Sequence, residues 1–454
     1  MRNSVISSGP ERAGGAGRTP AAGRLVALAT PLPVRVRLGG WAERLAWTDV
    51  SMDLVEVASA VLLADRRVAR PRRTLGPRSI RLPLHVRRAR VWEAAAPHMG
   101  EALEVLGGDR FEFEFRERAG GAACFPDSES SQMSFQFPRP SGEGRPSAER
   151  IALFSGGLDS AAAAAHFASR GDSVAYVTHY VNRIGRIEGL LARIYGAYGA
   201  GGQGPRHAQF HIKPFGKIVP LLRENSRRSR SFLFVSLALA TADAVGAREV
   251  CVCENGVLAL NLPFTRAMIP TRHAHGQFLK AMERFARALF GEQIRVTNPF
   301  ELTTKGEMIR IFSAHEELAL ASVSCWNQQW SGGPGNYGSG HCGYCVPCLV
   351  RRVSLHAAGV AVPGNHFDVD VRKLSRRARL SETDERRLGA YNALRDFAGR
   401  VGACHTRRAF LGQFPEAISA EPTYKDYSPD RWFKELFKMM KRFSLEVEAT
   451  FGAQ

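Results

Sequence analysis

The sequence predicts an α/β protein whose central domain is a parallel sheet covered by helices on both sides. Three observations predict it. Between residues 148 and 363, short apolar runs alternate with longer segments of helical periodicity, the pattern of repeated strand-helix units. The first run, Ile151-Ala152-Leu153-Phe154, ends in the turn Ser155-Gly156-Gly157-Leu158-Asp159-Ser160 and passes at once into Ala161 to Ala165, a strong helix former. Further on, Cys342, Cys345 and Cys348 form a C-x2-C-x2-C cluster behind a glycine-rich stretch, which reads as a loop stapled by metal. To this domain the sequence adds an N-terminal α+β domain and a helical C-terminal extension.

In chain order, residues 1–23 are rich in Gly, Ser, Ala and Arg and read as a disordered leader without the amphipathic order of a transit peptide. Residues 24–118 read as a small α+β accessory domain. Val34 to Leu38 alternates as a strand does, and Met52 to Leu63 carries helical spacing. Ile80 to Val86 alternates around Pro83, which assigns it to a sheet edge. Phe111, Phe113 and Phe115 put aromatic rings on one strand face, either as core or as a docking row for a partner. Residues 119–147, rich in Gly, Ser and Pro, read as a linker. In the central domain, strands are expected at 150–154, 173–178, 207–212, 249–253 and 293–297. Helices are expected at 158–170, 184–198, 231–246, 275–290 and 304–314. Residues 364–454 read as basic helices. Trp432 to Lys441 mixes apolar and lysine positions as a packing helix with its lysines outward, partner or membrane-surface contact being the other reading.

Composition narrows the classes. At 454 residues the chain holds about two or three domains. It has neither a long uninterrupted apolar stretch nor a secretory signal, so a cytoplasmic protein is expected. The net charge of +19 suits nucleic acid, an acidic partner or phosphate, and equally suits solvated faces in an arginine-rich proteome. No RNA-binding signature accompanies it.

The glycine turn is the most informative stretch. Two glycines at the start of a helix let bare N–H groups approach an anion, and Ser155 and Ser160 add hydroxyls. Asp159 would repel a phosphate unless a cation such as Mg²⁺ lies between them. No Gly-Lys-Ser/Thr follows, so this is not a Walker A loop. In the cysteine cluster, Cys325 can close the shell from a distance and give four thiolates around zinc, a structural site without an open position. Free thiols, a redox pair or an iron–sulfur cluster are the competing readings. His341 is either a substitute ligand or a loop histidine. The remaining Cys124, Cys251, Cys253 and Cys404 form no comparable group.

The turn resembles the SGGxDS pyrophosphate loop of the N-type ATP pyrophosphatases. Together with the cysteine cluster, the helix start Arg230-Ser231-Phe232-Leu233-Phe234-Val235-Ser236 and the stretch Asn298-Pro299-Phe300-Glu301-Leu302-Thr303-Thr304-Lys305-Gly306-Glu307, it is similar to the 7-cyano-7-deazaguanine synthase (QueC) family. The resemblance covers residues 148–360 and implies a HUP-like sheet, the fold of adenine nucleotide α-hydrolases. It also implies ATP, Mg²⁺ and structural zinc, with adenylation of 7-carboxy-7-deazaguanine before amine transfer. The departures are a longer gap before Cys342, the unfamiliar stretches Glu254 to Asn261 and Thr271 to His275, and the two extensions. This enlarged form resembles the QueC-like proteins of bacterial anti-phage loci, the QatC and Cap9 groups, and implies a partner protein as acceptor.

The implied roles follow. Ser155, Gly156, Gly157, Leu158 and Ser160 cradle pyrophosphate, with Asp159 at Mg²⁺ or orienting the loop. Lys305 neutralises pyrophosphate charge and Arg230 meets the α-phosphate. Glu254 and Asn255 read a guanine-like edge or cap a loop, and His273 and His275 touch substrate or serve the loop alone. Three functions stay open: deazaguanine transfer to a partner protein, synthesis of free 7-cyano-7-deazaguanine with ammonia, and an ATP-binding scaffold without turnover.

Overall fold

The structure, a computed structural model, describes residues 25–27, 34–70, 76–118, 147–180, 184–199, 204–214, 224, 228–264, 272–291, 294–326 and 341–452. The expected leader, Cys124, the glycine run Gly332 to Gly340 and the linker save its last residue lie outside them.

The N-terminal part contains β1 (Leu25–Ala27), β2 (Val34–Gly40), α1 (Asp49–Arg67), β3 (Ser79–Val86), α2 (Ala89–Gly107) and β4 (Arg110–Glu117). The central part runs β5 (Arg150–Leu153), α3 (Leu158–Ser169), β6 (Val174–Tyr180), α4 (Ile184–Tyr198), β7 (Arg206–Pro214) and α5 (Arg230–Val245). It continues with β8 (Glu249–Cys251), α6 (Gly256–Leu260), α7 (Gly276–Phe290), β9 (Arg295–Thr297), α8 (Lys305–Ile309), α9 (Glu316–Ala321) and α10 (Val346–Ala357). A 3₁₀ turn, Arg310–Ala314, extends α8. The C-terminal part holds α11 (Val371–Ser375), α12 (Glu382–Gly402), α13 (Arg407–Gln413) and α14 (Pro429–Phe451).

Among the described residues the main sheet has the order β2-β7-β6-β5-β8-β9. All its pairs are parallel except β2 with β7. The five parallel strands are thus ordered as in a doubly wound nucleotide-binding fold. The order reverses between β5 and β8, which puts a crevice beyond their carboxyl ends. The expected α/β class and the positions of its strands and helices hold throughout.

Two features of the N-terminal part differ from the sequence expectation. First, this part does not close a core of its own. Strand β2 leaves the accessory sheet and pairs along β7 from Val34 opposite Pro214 to Gly40 opposite Ala208. Gly40 ends the strand at φ +60°, where a Cβ would stand 2.6 Å from the His207 carbonyl oxygen, so only glycine turns the chain away there. One buried apolar cluster then runs from Leu54, Ile80 and Trp92 to Phe232, Phe278 and Phe285. The Trp92 ring lies 5.7 Å from Phe115 and 6.2 Å from Phe285. The row Phe111, Phe113 and Phe115 is half-buried against this cluster, with successive rings 6.0 and 5.9 Å apart.

Second, Pro83 lies in the central strand of the parallel sheet β1-β3-β4, not at its edge. Strand β1 is short and its register stops opposite Arg81. Among the described residues Pro83 has a strand neighbour on the β4 side alone, opposite Glu114.

The C-terminal extension packs around a third cluster that includes Val257, Leu349, Phe397, Trp432 and Met439. As its spacing predicts, α14 buries Trp432, Leu436, Met439 and Met440 and exposes Lys434 and Lys438. No helix among the described residues is long and apolar enough to cross a membrane.

Buried ions tie the N-terminal part to α5. The Asp109 carboxylate accepts from Arg70 Nη1 at 2.8 Å, from Arg78 Nη2 at 2.7 Å and from the Arg78 backbone N–H at 2.9 Å. Arg78 also pairs with Asp65, whose other oxygen accepts from the Ser229 N–H at 3.0 Å and the Ser229 hydroxyl at 2.8 Å. Ser229 is the residue before α5. Removing one partner of such a set leaves charge buried without compensation. We expect Asp109→Ala to lower the unfolding free energy by about 3–5 kcal/mol. Denaturant titration measures this, and a loss below about 1 kcal/mol, the range of an exposed pair, would contradict the assignment.

Candidate active site

The site begins where β5 ends. Phe154 donates its N–H to the Val177 carbonyl at 2.9 Å, and its own carbonyl accepts from the Thr178 hydroxyl at 2.5 Å, so the last turn of the strand is held rigidly to β6. Because Thr178 spends its proton on Phe154, it must accept from His207, whose Nε2 lies 2.7 Å away. This fixes the neutral Nε2–H tautomer of His207, and burial pushes its pKa down to about 4.

The glycine turn then opens into α3. Gly156 has φ +73°, and a Cβ on it would press on Ile187 at 3.3 Å. The Ser155 and Ser160 hydroxyls lie 3.3 Å apart, and Ser160 also donates to the Gly157 carbonyl at 3.0 Å. Gly157, the N-cap of α3, supplies no side-chain acceptor. The first N–H groups of the helix are therefore uncapped by it and point to where an anion would sit.

Asp159, in the first turn of α3, is the centre of a connected polar group. Its Oδ2 lies 2.5 Å from Lys305 Nζ. Its Oδ1 accepts from Asn255 Nδ2 at 2.9 Å. The same amide donates to Glu254 Oε1 at 2.7 Å, and Glu254 Oε2 lies 3.2 Å from His273 Nε2. Lys305, Asp159, Asn255, Glu254 and His273 thus form one chain across the crevice between β5 and β8. Burial, and then the charge of Glu254, push the Asp159 carboxyl above its usual range against the pull of Lys305 and Asn255. Burial also works to raise Glu254, but the hydrogen bond and charge of His273, with Lys305 behind them, bring its carboxyl below the usual value. His273 and Lys305 thus favour the ionised form of Glu254.

Lys305 is 4% exposed, so it is a buried lysine and not a surface one. It is the first residue of α8, whose start is a capping box: Thr304 Oγ1 accepts from the Glu307 N–H and the Glu307 carboxylate accepts from the Thr304 N–H. Asn255 caps α6, its Oδ1 accepting from the Leu258 N–H at 3.1 Å, while its Nδ2 faces Asp159. His275 is 3% exposed and caps α7, with Nδ1 accepting from the Gln277 N–H at 3.3 Å. Its ring serves the helix end rather than the polar chain of the crevice. Arg230 begins α5 with its guanidinium 5.6 Å from the Phe234 ring, beside His179 at the end of β6. It stands at the same rim of the sheet, but no contact described here joins it to Asp159.

The four sulfurs of Cys325, Cys342, Cys345 and Cys348 lie within 4.8 Å of one another. The 3.9 Å between Cys342 Sγ and Cys348 Sγ fits a tetrahedron of Zn–S bonds of about 2.3 Å, whose edge is about 3.8 Å. The donor set and spacing fit zinc, and His341 is not among the four: its Nε2 instead accepts from the Ser324 N–H at 3.4 Å. Cys251 and Cys253 are buried thiols pushed upward by burial, to about 12 for Cys251, so they are poor nucleophiles.

Some participants lie in family-like stretches of the sequence but are given no role there. Asn298, 1% exposed, donates to the Glu254 carbonyl at 2.8 Å and aligns β9 with the end of β8. Its only cue was the Asn-Pro turn after a strand. Arg351, fully buried on α10, donates to the Ser322 hydroxyl at 2.9 Å and the Ala319 carbonyl at 2.7 Å. The next residue, Val323, donates its N–H to the Gly156 carbonyl at 3.0 Å. The cysteine cluster, α10 and the glycine loop are thereby joined within a few bonds.

Comparisons with known proteins relate the central part of the chain to one family. Residues 225–359 match the family model described as "Queuosine biosynthesis protein QueC". The chain is 28% identical over 235 residues to the 7-cyano-7-deazaguanine synthase of Thiobacillus denitrificans, covering 47% of this chain and 96% of that enzyme. It is 31% identical over 140 residues to the synthase of Cupriavidus taiwanensis, covering 30% of this chain and 55% of that enzyme. It is 25% identical over 240 residues to the synthase of Pseudomonas fluorescens, covering 48% of this chain and 95% of that enzyme. The central part of this chain is QueC-like.

Two outcomes follow. The purified protein should contain one zinc per chain by elemental analysis, and Cys348→Ser should lose the metal and melt at a lower temperature. Full zinc retention in that variant would exclude the four-thiolate site. A histidine with a folded pKa below its unfolded value stabilises the fold at high pH and loses that contribution as pH falls. Between pH 6.5 and pH 4, His207 should therefore cost on the order of 3 kcal/mol, and His207→Asn should flatten the fall of melting temperature with acid. An unchanged acid profile would contradict the buried neutral imidazole.

Proposed function

We propose that this chain is an ATP-using, C–N bond-forming enzyme that converts 7-carboxy-7-deazaguanine to 7-cyano-7-deazaguanine with ammonia. The observation that carries this reading is the meeting of the glycine loop, Asp159 and Lys305 at the reversal point of the sheet.

A carboxylate resists attack by an amine because its leaving group would be oxide. In the proposed reaction its oxygen attacks the α-phosphorus of ATP and pyrophosphate leaves. Ammonia attacks the acyl carbon of the resulting adenylate, the C–O bond breaks, and AMP departs with the electron pair. A second adenylation, on the amide oxygen, lets AMP and a proton leave to form the nitrile.

The residues present suit these steps by position and charge. The N–H groups and hydroxyls of Ser155, Gly156, Gly157, Leu158 and Ser160 cradle the leaving pyrophosphate, which Mg²⁺ would accompany. Lys305 supplies a fixed positive charge to it. Asp159 aims Lys305 while ATP is absent and orients the loop. Arg230 meets the α-phosphate from the rim. Glu254 with His273 offers paired hydrogen bonds to the guanine-like edge, and Asn255 keeps Glu254 aligned. Zinc, once bound by the four cysteines, holds the Ser322–Cys325 segment against the loop and takes no part in the chemistry.

Transfer to a partner protein, the acceptor implied by the anti-phage resemblance, has no support among the relatives named above, each a 7-cyano-7-deazaguanine synthase. The extensions that suggested it are built into the catalytic fold itself. Ammonia is therefore the acceptor we adopt. A cytoplasmic setting is consistent with these substrates.

The test incubates the protein with ATP, Mg²⁺ and 7-carboxy-7-deazaguanine, with and without ammonium, and follows AMP and product mass. Substrate-dependent AMP, with the nitrile formed only when ammonium is present, is expected. Lys305→Ala should reduce the rate about 100-fold or more, the scale of one fixed charge on a developing anion. Substrate-dependent AMP without a free nitrile would overturn ammonia as the acceptor. No substrate-dependent AMP would overturn the reading itself.

A further inference from the structure

The C-terminal extension lies outside the stretch that matches the QueC family model, yet it grips the segment that carries Lys305 at several points. Arg442 on α14 donates through Nε to Glu307 Oε1 at 2.6 Å and through Nη2 to the Leu302 carbonyl at 3.0 Å. Thr423 donates its N–H and hydroxyl to Glu301 Oε2 at 2.8 and 2.7 Å, and its hydroxyl oxygen accepts from the Asn298 N–H at 2.9 Å. The Thr304 hydroxyl donates to Glu446 Oε1 at 2.5 Å.

The Glu446 contact is the informative one. Its other carboxylate oxygen is buried without a hydrogen-bond partner among the described residues. An acid in such a place costs stability, and an apolar side chain of similar size would fill the space at lower cost. What Glu446 contributes is direction. By accepting the Thr304 proton, it turns the lone pairs of that hydroxyl toward the Glu307 N–H, 3.1 Å away, and so completes the cap that starts α8 at Lys305. Space is equally constrained. A Cβ on Gly306 would lie 2.8 Å from Glu446 Oε1 and 2.8 Å from Ala357 on α10, so the backbone beside Lys305 is clamped between two helices.

We propose that Glu446 is a positioning residue for Lys305, acting through Thr304, and that the C-terminal extension serves as a built-in support for the pyrophosphate-facing lysine. This rests on the role given to Lys305 in the proposed function. Glu446 touches no reacting atom, and its effect passes through the helix start alone.

Two readouts test it. The first does not depend on any activity: acetic anhydride labelling of the folded, zinc-loaded protein, with Lys305 followed by peptide mass. In Glu446→Ala the labelling of Lys305 should rise about tenfold, the change expected when a cap contribution of about 1.4 kcal/mol is lost, while Glu446→Gln, which keeps an acceptor for Thr304, should stay near the wild-type rate. The second is ATP–pyrophosphate exchange with 7-carboxy-7-deazaguanine. Glu446→Ala should lower kcat about tenfold with KM for ATP within about twofold, and Glu446→Gln should recover most of it. In a Lys305→Ala background the same change should cost less than about twofold, because the residue it acts through is gone.

Unchanged labelling in Glu446→Ala, or losses that multiply independently of Lys305, would overturn the proposal. Should that variant fail to fold, Thr304→Val removes the same hydrogen bond at constant shape and is expected to give the same labelling change. A wild-type protein without substrate-dependent exchange would overturn the functional reading, and the labelling would still decide the positioning.

Discussion

The ion pair between Lys305 and Asp159 is the contact around which the crevice is organised. A lysine this buried needs a facing anion to offset the cost of desolvation, and a carboxylate at a helix N-terminus is held where it can face that lysine. The pair spans the reversal point of the sheet, from the helix after β5 to the helix after β9. Its position requires both β5 and β9 to be in register with β8, since the charges meet only if the ends of these strands are level. Asn255 and Glu254, at the end of β8, complete the connection and carry the negative charge on to His273.

Each side of this centre is braced by a different part of the chain. The glycine loop is held from below by Thr178 and His207, and from the side by Val323, whose segment is anchored by Arg351 and the four cysteines. The lysine side is held by the C-terminal extension through Arg442, Thr423 and Glu446. The Arg230 side is held by the N-terminal part, whose Asp65 accepts from both the N–H and the hydroxyl of Ser229. The extensions are therefore not appendages to a finished domain. The first supplies an edge strand and a shared apolar core, and the second supplies the wall behind Lys305. A catalytic site that handles pyrophosphate must hold several donors at fixed spacing, and rigidity of this kind limits the reorganisation needed as charge develops.

Local chemistry determined much of this protein in the sequence itself. The alternation of apolar runs and helical periods set the α/β class, because side chains alternate every second residue on a strand and recur on one face of a helix. The Ser-Gly-Gly turn after an apolar run located the anion-facing loop, since few other residues allow so tight a turn into a helix. The cysteine spacing located the metal-binding group, because close thiols in a turn have few other uses. Tertiary structure decided what depends on neighbours distant in the chain. Pro83 sits in the central strand of the small sheet rather than at its edge, and β2 pairs with β7 of the main sheet rather than with the strands nearest to it in the chain. His275 caps a helix while His273 faces Glu254, a division that two histidines in one polar turn do not reveal by spacing. Asn298, Arg351 and Glu446 gain their roles from partners 29 to 142 residues away, and such contacts exist only once the sheet order and the helix packing have brought those segments together.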